Sequence, residues 1–343
     1  MIRRFGPEWL FSQEGNYALI DVRSPLEFVK GHIPGAANIP LFTDEERAVV
    51  GTRYHDAGKD AALLIGLDFA GVKMSDFVKR LTSFTRGKNR KVAVYCWRGG
   101  MRSASMSWLF STAGFDTVVL EGGYKAYRTY IREAAGKGVP IRVLGGMTGS
   151  GKTEVLGIMQ QKGCQVIDLE HLAHHKGSVF GSLGQKAQPS NEQFENDLYN
   201  EWRLLDHSRP VWVEDESRSI GTVSLPPPFF DMMKKSPMIL LRIPSEIRVR
   251  RLVREYACFS NAELLAGLDK IAASLGGQTA AAIRQHIGGE NYEEAIRLVL
   301  GYYDKTYLKA LERFSDREII TLDRGTGDAD ANAQAVMNLA SVR

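Results

Sequence analysis

Nowhere in the 343 residues does an apolar run approach the roughly 20 residues that a membrane-spanning helix needs, so no membrane span is expected. Cysteine is scarce. Cys96, Cys164 and Cys258 are too scattered to staple a disulfide scaffold, and a reducing, cytoplasmic setting is the expected home. The first residues, MIRRFGPEWLF, lack an apolar core and a small-residue cleavage site, so no signal peptide is expected. Internal repeats and low-complexity tracts are missing too. A hydrophobic content of 44% and a charged content of 24% exclude a disordered or collagen-like chain. Excess charge is small as well, at +4.

That total averages two unlike halves. Residues 1–138 carry 20 Lys+Arg against 14 Asp+Glu, a net of +6, and residues 139–343 carry 24 against 26, a net of −2. The change falls at AAGKGVP (134–140), a Gly- and Pro-containing stretch suited to a linker. Two domains are expected, 1–136 and 137–343. In the first, Tyr17–Val22, Lys91–Tyr95 and Thr117–Leu120 predict strands, while Ser24–Lys30, Ser75–Phe84 and Ser103–Thr112 predict helices. Such alternation predicts an α/β fold with a mostly parallel, covered sheet. Thr43–Val72 is less regular and reads as an insertion. The second domain repeats the logic. Strands are predicted at Ile141–Leu144, Gln165–Asp168, Val211–Val213 and Met238–Ile243, and a helix at Lys152–Gln161. A helical extension runs from Ser245 to about Phe314, before a last strand at Glu318–Leu322 and a final helix.

Two loops carry chemistry. In YCWRGGMRSAS (95–105), Cys96 follows a predicted strand, at the end where α/β sheets place their ligands. Glycines let the backbone turn and aim its amides inward, and the next helix adds its positive N-terminal end. Arg98, Gly99, Gly100, Met101 and Arg102 thus form an expected anion cradle around a cysteine whose surroundings favour thiolate chemistry. A nucleophilic cysteine in such a cradle suits a phosphatase, or a carrier of sulfur or selenium. Cys164 and Cys258 lack any comparable setting.

The second loop is IRVLGGMTGSGKTEVL (141–156), a full P-loop between a strand and a helix. Gly146, Gly149, Ser150, Gly151, Lys152 and Thr153 are the expected diphosphate-binding residues, with Thr153 able to hold Mg²⁺. The strand VWVEDES (211–217) ends in Glu214, Asp215 and Glu216. Asp215 and Glu216 read either as acidic partners of the P-loop, with Asp215 as a second Mg²⁺ ligand, or as a solvated acidic turn. Asp168, at another strand end, either faces the substrate or caps the next helix. Nothing in the sequence signals adenine or positions a water, so ATP hydrolysis does not follow from the P-loop.

In IRVRRLVREY (247–256), Val249, Leu252, Val253 and Tyr256 share one helix face. Arg248, Arg250, Arg251 and Arg254 fall on the other, as tRNA contacts, as a lid over bound phosphate, or as a solvated face. Tyr303 and Tyr307 read as a core stripe. His171 and His175 stand one turn apart, but no third ligand with a recognisable spacing accompanies them, so a zinc site is not expected.

DVRSPLEFVKGHIPGAANIP (21–40) resembles the N-terminal signature of rhodanese domains at Asp21, Arg23, Glu27, Gly31, His32, Ile33, Gly35 and Ala36. That resemblance covers most of residues 1–130. It implies that Cys96 carries sulfane sulfur and that His32 is structural. A rhodanese-like domain fused to a P-loop domain, with CWRGGMRS, GGMTGSGKT and the insertion GTRYHDAGKDAALLIGLDFAG (51–71), resembles the tRNA 2-selenouridine synthase family over essentially the whole chain. The resemblance implies a tRNA bearing 2-thiouridine at its wobble position as substrate. It implies selenophosphate at the Cys96 loop, geranyl diphosphate at the P-loop, and an S-geranylated intermediate. A selenophosphate-producing enzyme is the implied donor partner, and no tightly bound cofactor is expected beyond Mg²⁺. The residues alone also fit a rhodanese-type sulfurtransferase with a nucleotide-binding regulatory P-loop domain. A small-molecule kinase fits them too, as does a non-catalytic nucleotide-binding adaptor, although the presence of Cys96 counts against the adaptor.

Overall fold

A computed structural model describes residues 2–13, 15–86, 90–313 and 317–341. Phe314, the end of the expected helical extension, lies outside the described residues. The chain divides into two compact units, one of Met1–Ala134 with Glu195–Asp197, the other of Ala135–Phe194 and Leu198–Arg343.

The first unit runs β1 (Arg3–Phe5), α1 (Pro7–Ser12), β2 (Ala18–Asp21), α2 (Pro25–Lys30), β3 (Ala37–Asn38), α3 (Asp44–Gly71), α4 (Met74–Phe84), β4 (Lys91–Tyr95), α5 (Met101–Thr112), β5 (Asp116–Leu120) and α6 (Gly123–Ala134). Its five strands form one sheet in the order β1-β5-β4-β2-β3, every neighbour pair parallel. Ile20, Val92, Val94 and Val119 are fully buried, as expected where helices cover both faces of a parallel sheet. Helix α2 begins with Pro25 behind a Ser24–Glu27 capping box, which satisfies the first free amides. The stretch expected to be irregular, Thr43–Val72, is helical: α3 starts on a Thr43–Glu46 capping box and breaks at Gly58, where φ is 82°. Its apolar residues run right round the helix, so no 3.6-residue stripe marks it in the sequence.

The second unit runs β6 (Ile141–Gly145), α7 (Lys152–Gln161), β7 (Gln165–Val166), α8 (Leu169–Ala173), α9 (Asn191–Trp202), β8 (Val211–Glu214), β9 (Ser219–Ile220), β10 (Val223–Ser224), α10 (Pro227–Lys235), β11 (Met238–Arg242), α11 (Ser245–Tyr256), α12 (Asn261–Asp269), α13 (Ala272–Leu275), α14 (Gly277–Gly288), α15 (Tyr292–Glu312), β12 (Ile319–Asp323) and α16 (Ala329–Ser341). Five parallel strands lie in the order β12-β11-β6-β8-β7, and β9 and β10 form a separate two-stranded antiparallel ribbon. The chain winds to one side of β6 through β7 and β8, then to the other through β11 and β12. The carboxyl end of β6 is therefore the switch point at which open sheets bind ligands. The strand expected at Gln165–Asp168 stops at Val166, because the Asp168 carboxylate accepts the His171 amide at 2.8 Å and starts α8. Two cores result. One packs α7 and α16 on the sheet around Leu144, Leu156 and Val336, and the other joins α11, α12, α14 and α15 around Leu252, Leu268, Ile283 and Val299. No helix among the described residues is long and apolar enough to cross a membrane.

Candidate functional site

Cys96 leaves the carboxyl end of β4, the central strand of the first sheet, and is 3% exposed. Its Sγ lies 3.3 Å from the Ser103 hydroxyl on the first turn of α5, and that hydroxyl also reaches the Gly100 carbonyl at 3.1 Å. The loop is pinned from outside. The Tyr124 amide donates to the Cys96 carbonyl at 2.8 Å, Lys125 to that of Trp97 at 3.0 Å, and the Arg4 guanidinium to that of Gly99 at 2.7 Å. The clamp is the turn after β5. Gly123 has φ 61°, and a side chain there would run into the Cys96 carbonyl and the Gly99 amide. The pair Gly122–Gly123 was missed in the sequence, although adjacent glycines after a predicted strand were a usable signal.

The signature residues upstream build the frame. Asp21 and Arg23 form a buried pair at 2.6 Å. Arg23 also donates to the Gly31 carbonyl and lies 3.9 Å from the Tyr124 ring centroid. His32 stacks on Phe28 at 3.8 Å, its Nδ1 3.0 Å from the Phe28 carbonyl. Glu27 caps α2 and binds Arg102 at 2.7 Å. Despite partial burial, that contact holds its carboxyl below the usual range. Arg102, expected as a free cation of the cradle, is thus partly neutralised, while Arg98 is exposed. Gly100 caps α5, so Met101 begins the helix at the mouth of the loop.

In the second unit the P-loop joins β6 to α7 as the spacing predicts. Lys152 Nζ folds back to the Gly146 carbonyl at 2.9 Å. Gly151, with φ 83°, caps α7, and a Cβ there would stand 2.7 Å from Arg251 Cζ. Gly149 packs under Leu252. Ser150 Oγ is buried and has no hydrogen-bond partner among the described residues. Buried hydroxyls normally find partners, so this one is suited to a ligand oxygen.

The acidic strand end is divided between two tasks. Asp215 points into a cluster of buried donors. Its carboxylate is 3% exposed and is taken up by Lys234 at 2.8 Å, Arg317 at 3.0 Å and the Tyr307 hydroxyl at 3.0 Å. Against its burial, those cations hold its carboxyl below the usual range. Asp215, expected as a second Mg²⁺ ligand, has its oxygens engaged by these three donors in this structure. Thr153 instead donates to Glu170 Oε2 at 3.0 Å. Glu170, Glu214 and Glu216 sit together behind the loop. Burial pushes all three carboxyls up, Glu216 to about 8, with Glu170's charge adding to the rise at Glu214 and Glu216. Glu170 was missed; its place after Asp168, at a strand end beside the P-loop, was the only available sign. A hydroxyl beside a half-buried carboxylate is a donor set that Mg²⁺ accepts, and Thr153 with Glu170 offers one. Among the described residues, no three His, Cys, Asp or Glu side chains gather as a metal site. His171 is exposed, and His175 Nδ1 is buried with no hydrogen-bond partner among the described residues.

The four arginines of α11 separate as well. Arg248, one turn before Leu252 on the apolar stripe, is buried. It binds Asp304 at 2.7 Å and the Thr148 carbonyl at 3.2 Å, so it braces the P-loop rather than facing tRNA. Arg251 lies across Gly151 and reaches Glu154 at 2.5 Å and the Gly327 carbonyl at 2.8 Å. Arg250 and Arg254 are exposed and line, with Arg251 and Lys176, a cavity of about 710 Å³ beside α7. Tyr303 and Tyr307 face inward, Tyr303 accepting the Val179 amide at 2.9 Å.

The family model described as the tRNA 2-selenouridine synthase AAA domain matches residues 139–299, and the model of the rhodanese-like domain matches residues 9–130. A tRNA 2-selenouridine synthase from Bdellovibrio bacteriovorus is 36% identical, covering 92% of this chain and 93% of that one. One from Shewanella frigidimarina is 35% identical, covering 90% and 92%. A solved rhodanese-like domain protein from Staphylococcus aureus is 22% identical over 37% of this chain and 91% of its own, with a TM-score of 0.24.

Proposed function

As the chain belongs to the tRNA 2-selenouridine synthase family, we propose that it is a tRNA-modifying transferase that replaces the sulfur of wobble 2-thiouridine with selenium. The chemistry takes two steps. First, the P-loop holds geranyl diphosphate by its diphosphate. The thiocarbonyl sulfur attacks the first carbon of the geranyl chain, the carbon–oxygen bond breaks, and diphosphate leaves with the electron pair. Lys152 and the loop amides stabilise the charge gathering on that leaving group, and Arg251 lies close enough to Gly151 to add to them. Mg²⁺ at Thr153 and Glu170 would neutralise further diphosphate charge.

Alkylation turns the sulfur into a good leaving group. Second, selenophosphate, supplied by a selenophosphate-producing enzyme, sits in the cradle of Arg98, Gly99, Gly100, Met101 and Arg102. Its selenium attacks the uracil ring carbon that bears the S-geranyl group, the ring carbon–sulfur bond breaks, geranylthiolate departs and is protonated, and water takes the phosphoryl group from selenium as phosphate. Cys96 Sγ, held at the base of that cradle, is the group that presents selenium. Neither step calls for a tightly bound cofactor. Arg250 and Arg254, exposed beside the P-loop, suit tRNA phosphates.

What carries this reading is the presence in one chain of a glycine-rich loop at the carboxyl end of a strand in each sheet, one holding Cys96 and one holding Lys152 and Ser150, whose buried hydroxyl has no partner among the described residues. Mass spectrometry of tRNA nucleosides from cells lacking the protein tests it. Loss of 2-selenouridine with 2-thiouridine retained is expected. Undiminished 2-selenouridine overturns it, and donor-stimulated ATP turnover independent of tRNA would point to a sulfurtransferase with a regulatory P-loop domain.

A further inference from the structure

The insertion helix α3 does more than cover the first sheet. With α4 and α5 it encloses an open cavity of about 290 Å³ whose walls are almost wholly apolar. Leu63, Leu67, Met101 and Trp108 stand on its rim with 38%, 58%, 54% and 57% of their surface exposed. Exposed apolar groups gathered in one place mark a surface that something covers. The cavity adjoins the helix that leaves the cysteine loop. Its α5 wall consists of residues 101, 102, 105, 106, 108 and 109, one helix face that starts where the loop ends, and Met106 below it belongs to the same buried cluster as Cys96.

Size and charge narrow the occupant. A volume of about 290 Å³, open to solvent on one side, is far more than a single water needs and admits a hydrocarbon chain. Polar groups along the walls are few: Ser105, the Tyr54 hydroxyl, the Trp108 indole N–H, Lys59, and Arg102, which is paired with Glu27. Ser105 already donates to the Met101 carbonyl at 2.9 Å. The apolar walls fit a hydrocarbon chain, and Lys59 on the lining suits an anionic group beside it.

We infer that this cavity binds the geranyl chain of the S-geranylated uridine during the second step, holding the thioether at the Cys96 loop while selenophosphate occupies the cradle beside it. This rests on the two-step reading above and gives the chain a place separate from the P-loop. It also accounts for an insertion whose own packing buries only Ala62 and Gly66.

Ser105 is exposed, lies outside the cradle and faces the cavity, so Ser105→Trp fills the space without opening the core. Leu67→Glu places a charge in the wall from an exposed position. Affinity of the full-length protein for the S-geranyl-2-thiouridine nucleoside, measured by equilibrium dialysis, falls at least tenfold in both variants, whereas affinity for geranyl diphosphate is unchanged. In parallel, a pre-geranylated anticodon stem-loop is given selenophosphate, and both variants form 2-selenouridine at least tenfold more slowly. Wild-type nucleoside affinity in both variants overturns the inference. So does loss confined to geranyl diphosphate, which would assign the cavity to the first step. Sedimentation adds a further arm: a wild-type dimer broken by Ser105→Trp with ligand affinity intact would make this face an interface between copies. Failure of the wild-type protein to convert the pre-geranylated stem-loop would instead sink the two-step reading itself.

Discussion

The Tyr307 hydroxyl accepts the Gly146 amide at 3.1 Å and, on its other side, donates to Asp215 at 3.0 Å. A helix of the extension thereby fixes the first amide of the P-loop, and Arg317 and Lys234 fix the carboxylate behind it. Tyr307→Phe removes both bonds and keeps the ring in place. Hydrogen bonds to charged groups are worth about 1.5–3 kcal/mol, and an orphaned buried amide costs a similar amount. A loss of about 2 kcal/mol in urea unfolding followed by the second unit's tryptophans is expected, together with a several-fold weaker affinity for inorganic pyrophosphate. Wild-type pyrophosphate affinity in Tyr307→Phe would show that the loop does not depend on this strut.

Cys96→Ala separates the two steps. The P-loop lies in the other compact unit and keeps all of its contacts, so S-geranyl-2-thiouridine still forms from geranyl diphosphate. Selenium incorporation falls below detection. Because Cys96 is small, buried and part of a core cluster, alanine leaves little void, and circular dichroism should match the wild type. Nucleoside mass spectrometry reads both products in one sample. Absence of the geranylated nucleoside in this variant would refute the division of labour.

The loops and strands were legible because each is a short local pattern. Lys91–Tyr95 and Lys152–Gln161 appear in the structure with the bounds their apolar runs predict. The glycine and lysine spacing of the P-loop fixed its register for the same reason. Features that depend on distant partners stayed hidden. The acidic triplet 214–216 reads as one cluster along the chain, yet successive residues of an extended strand end point opposite ways. Asp215 meets Lys234, Arg317 and Tyr307, while Glu214 meets the amides of Leu169 and Glu170. Arg248 looked like one more surface arginine, and only its position on the Leu252 stripe could have placed it inside. The cavity under α3 depends on apolar residues distributed around a kinked helix, which no periodicity reveals.

Lys152→Ala tests the electrostatic account of the first step. Removing one preorganised donor from a developing anion typically slows the chemical step by about 10²–10³. Geranylation of a 2-thiouridine stem-loop should slow by that order, and pyrophosphate should bind more weakly. Selenation of a pre-geranylated stem-loop should proceed at the wild-type rate, since no diphosphate leaves in that step. Equal slowing of both steps would mean that the P-loop shapes the whole protein rather than its own reaction.

Glu216 gives the fold a pH dependence whose sign is fixed. Burial, with the charge of Glu170 adding to it, raises its carboxyl to about 8, against the pull of Lys152 and Lys234. In the unfolded chain the same group titrates near about 4.3. Between those values the folded state holds a proton that the unfolded state has released, so stability falls as pH rises, by at most about 1.4 kcal/mol per pH unit for this one group. The fall ends once Glu216 is ionised in both states, above about 8. Glu170 and Glu214, shifted in the same direction, act with the same sign. Glu216→Gln keeps the shape and removes the proton, so its urea midpoint should decline less than that of the wild type between pH 5.5 and 8.5, in buffer without divalent cations. Lys152→Ala removes a cation that favours the ionised form and should steepen the decline. Parallel curves for wild type and Glu216→Gln would show that Glu216 is already ionised in the folded protein across this range.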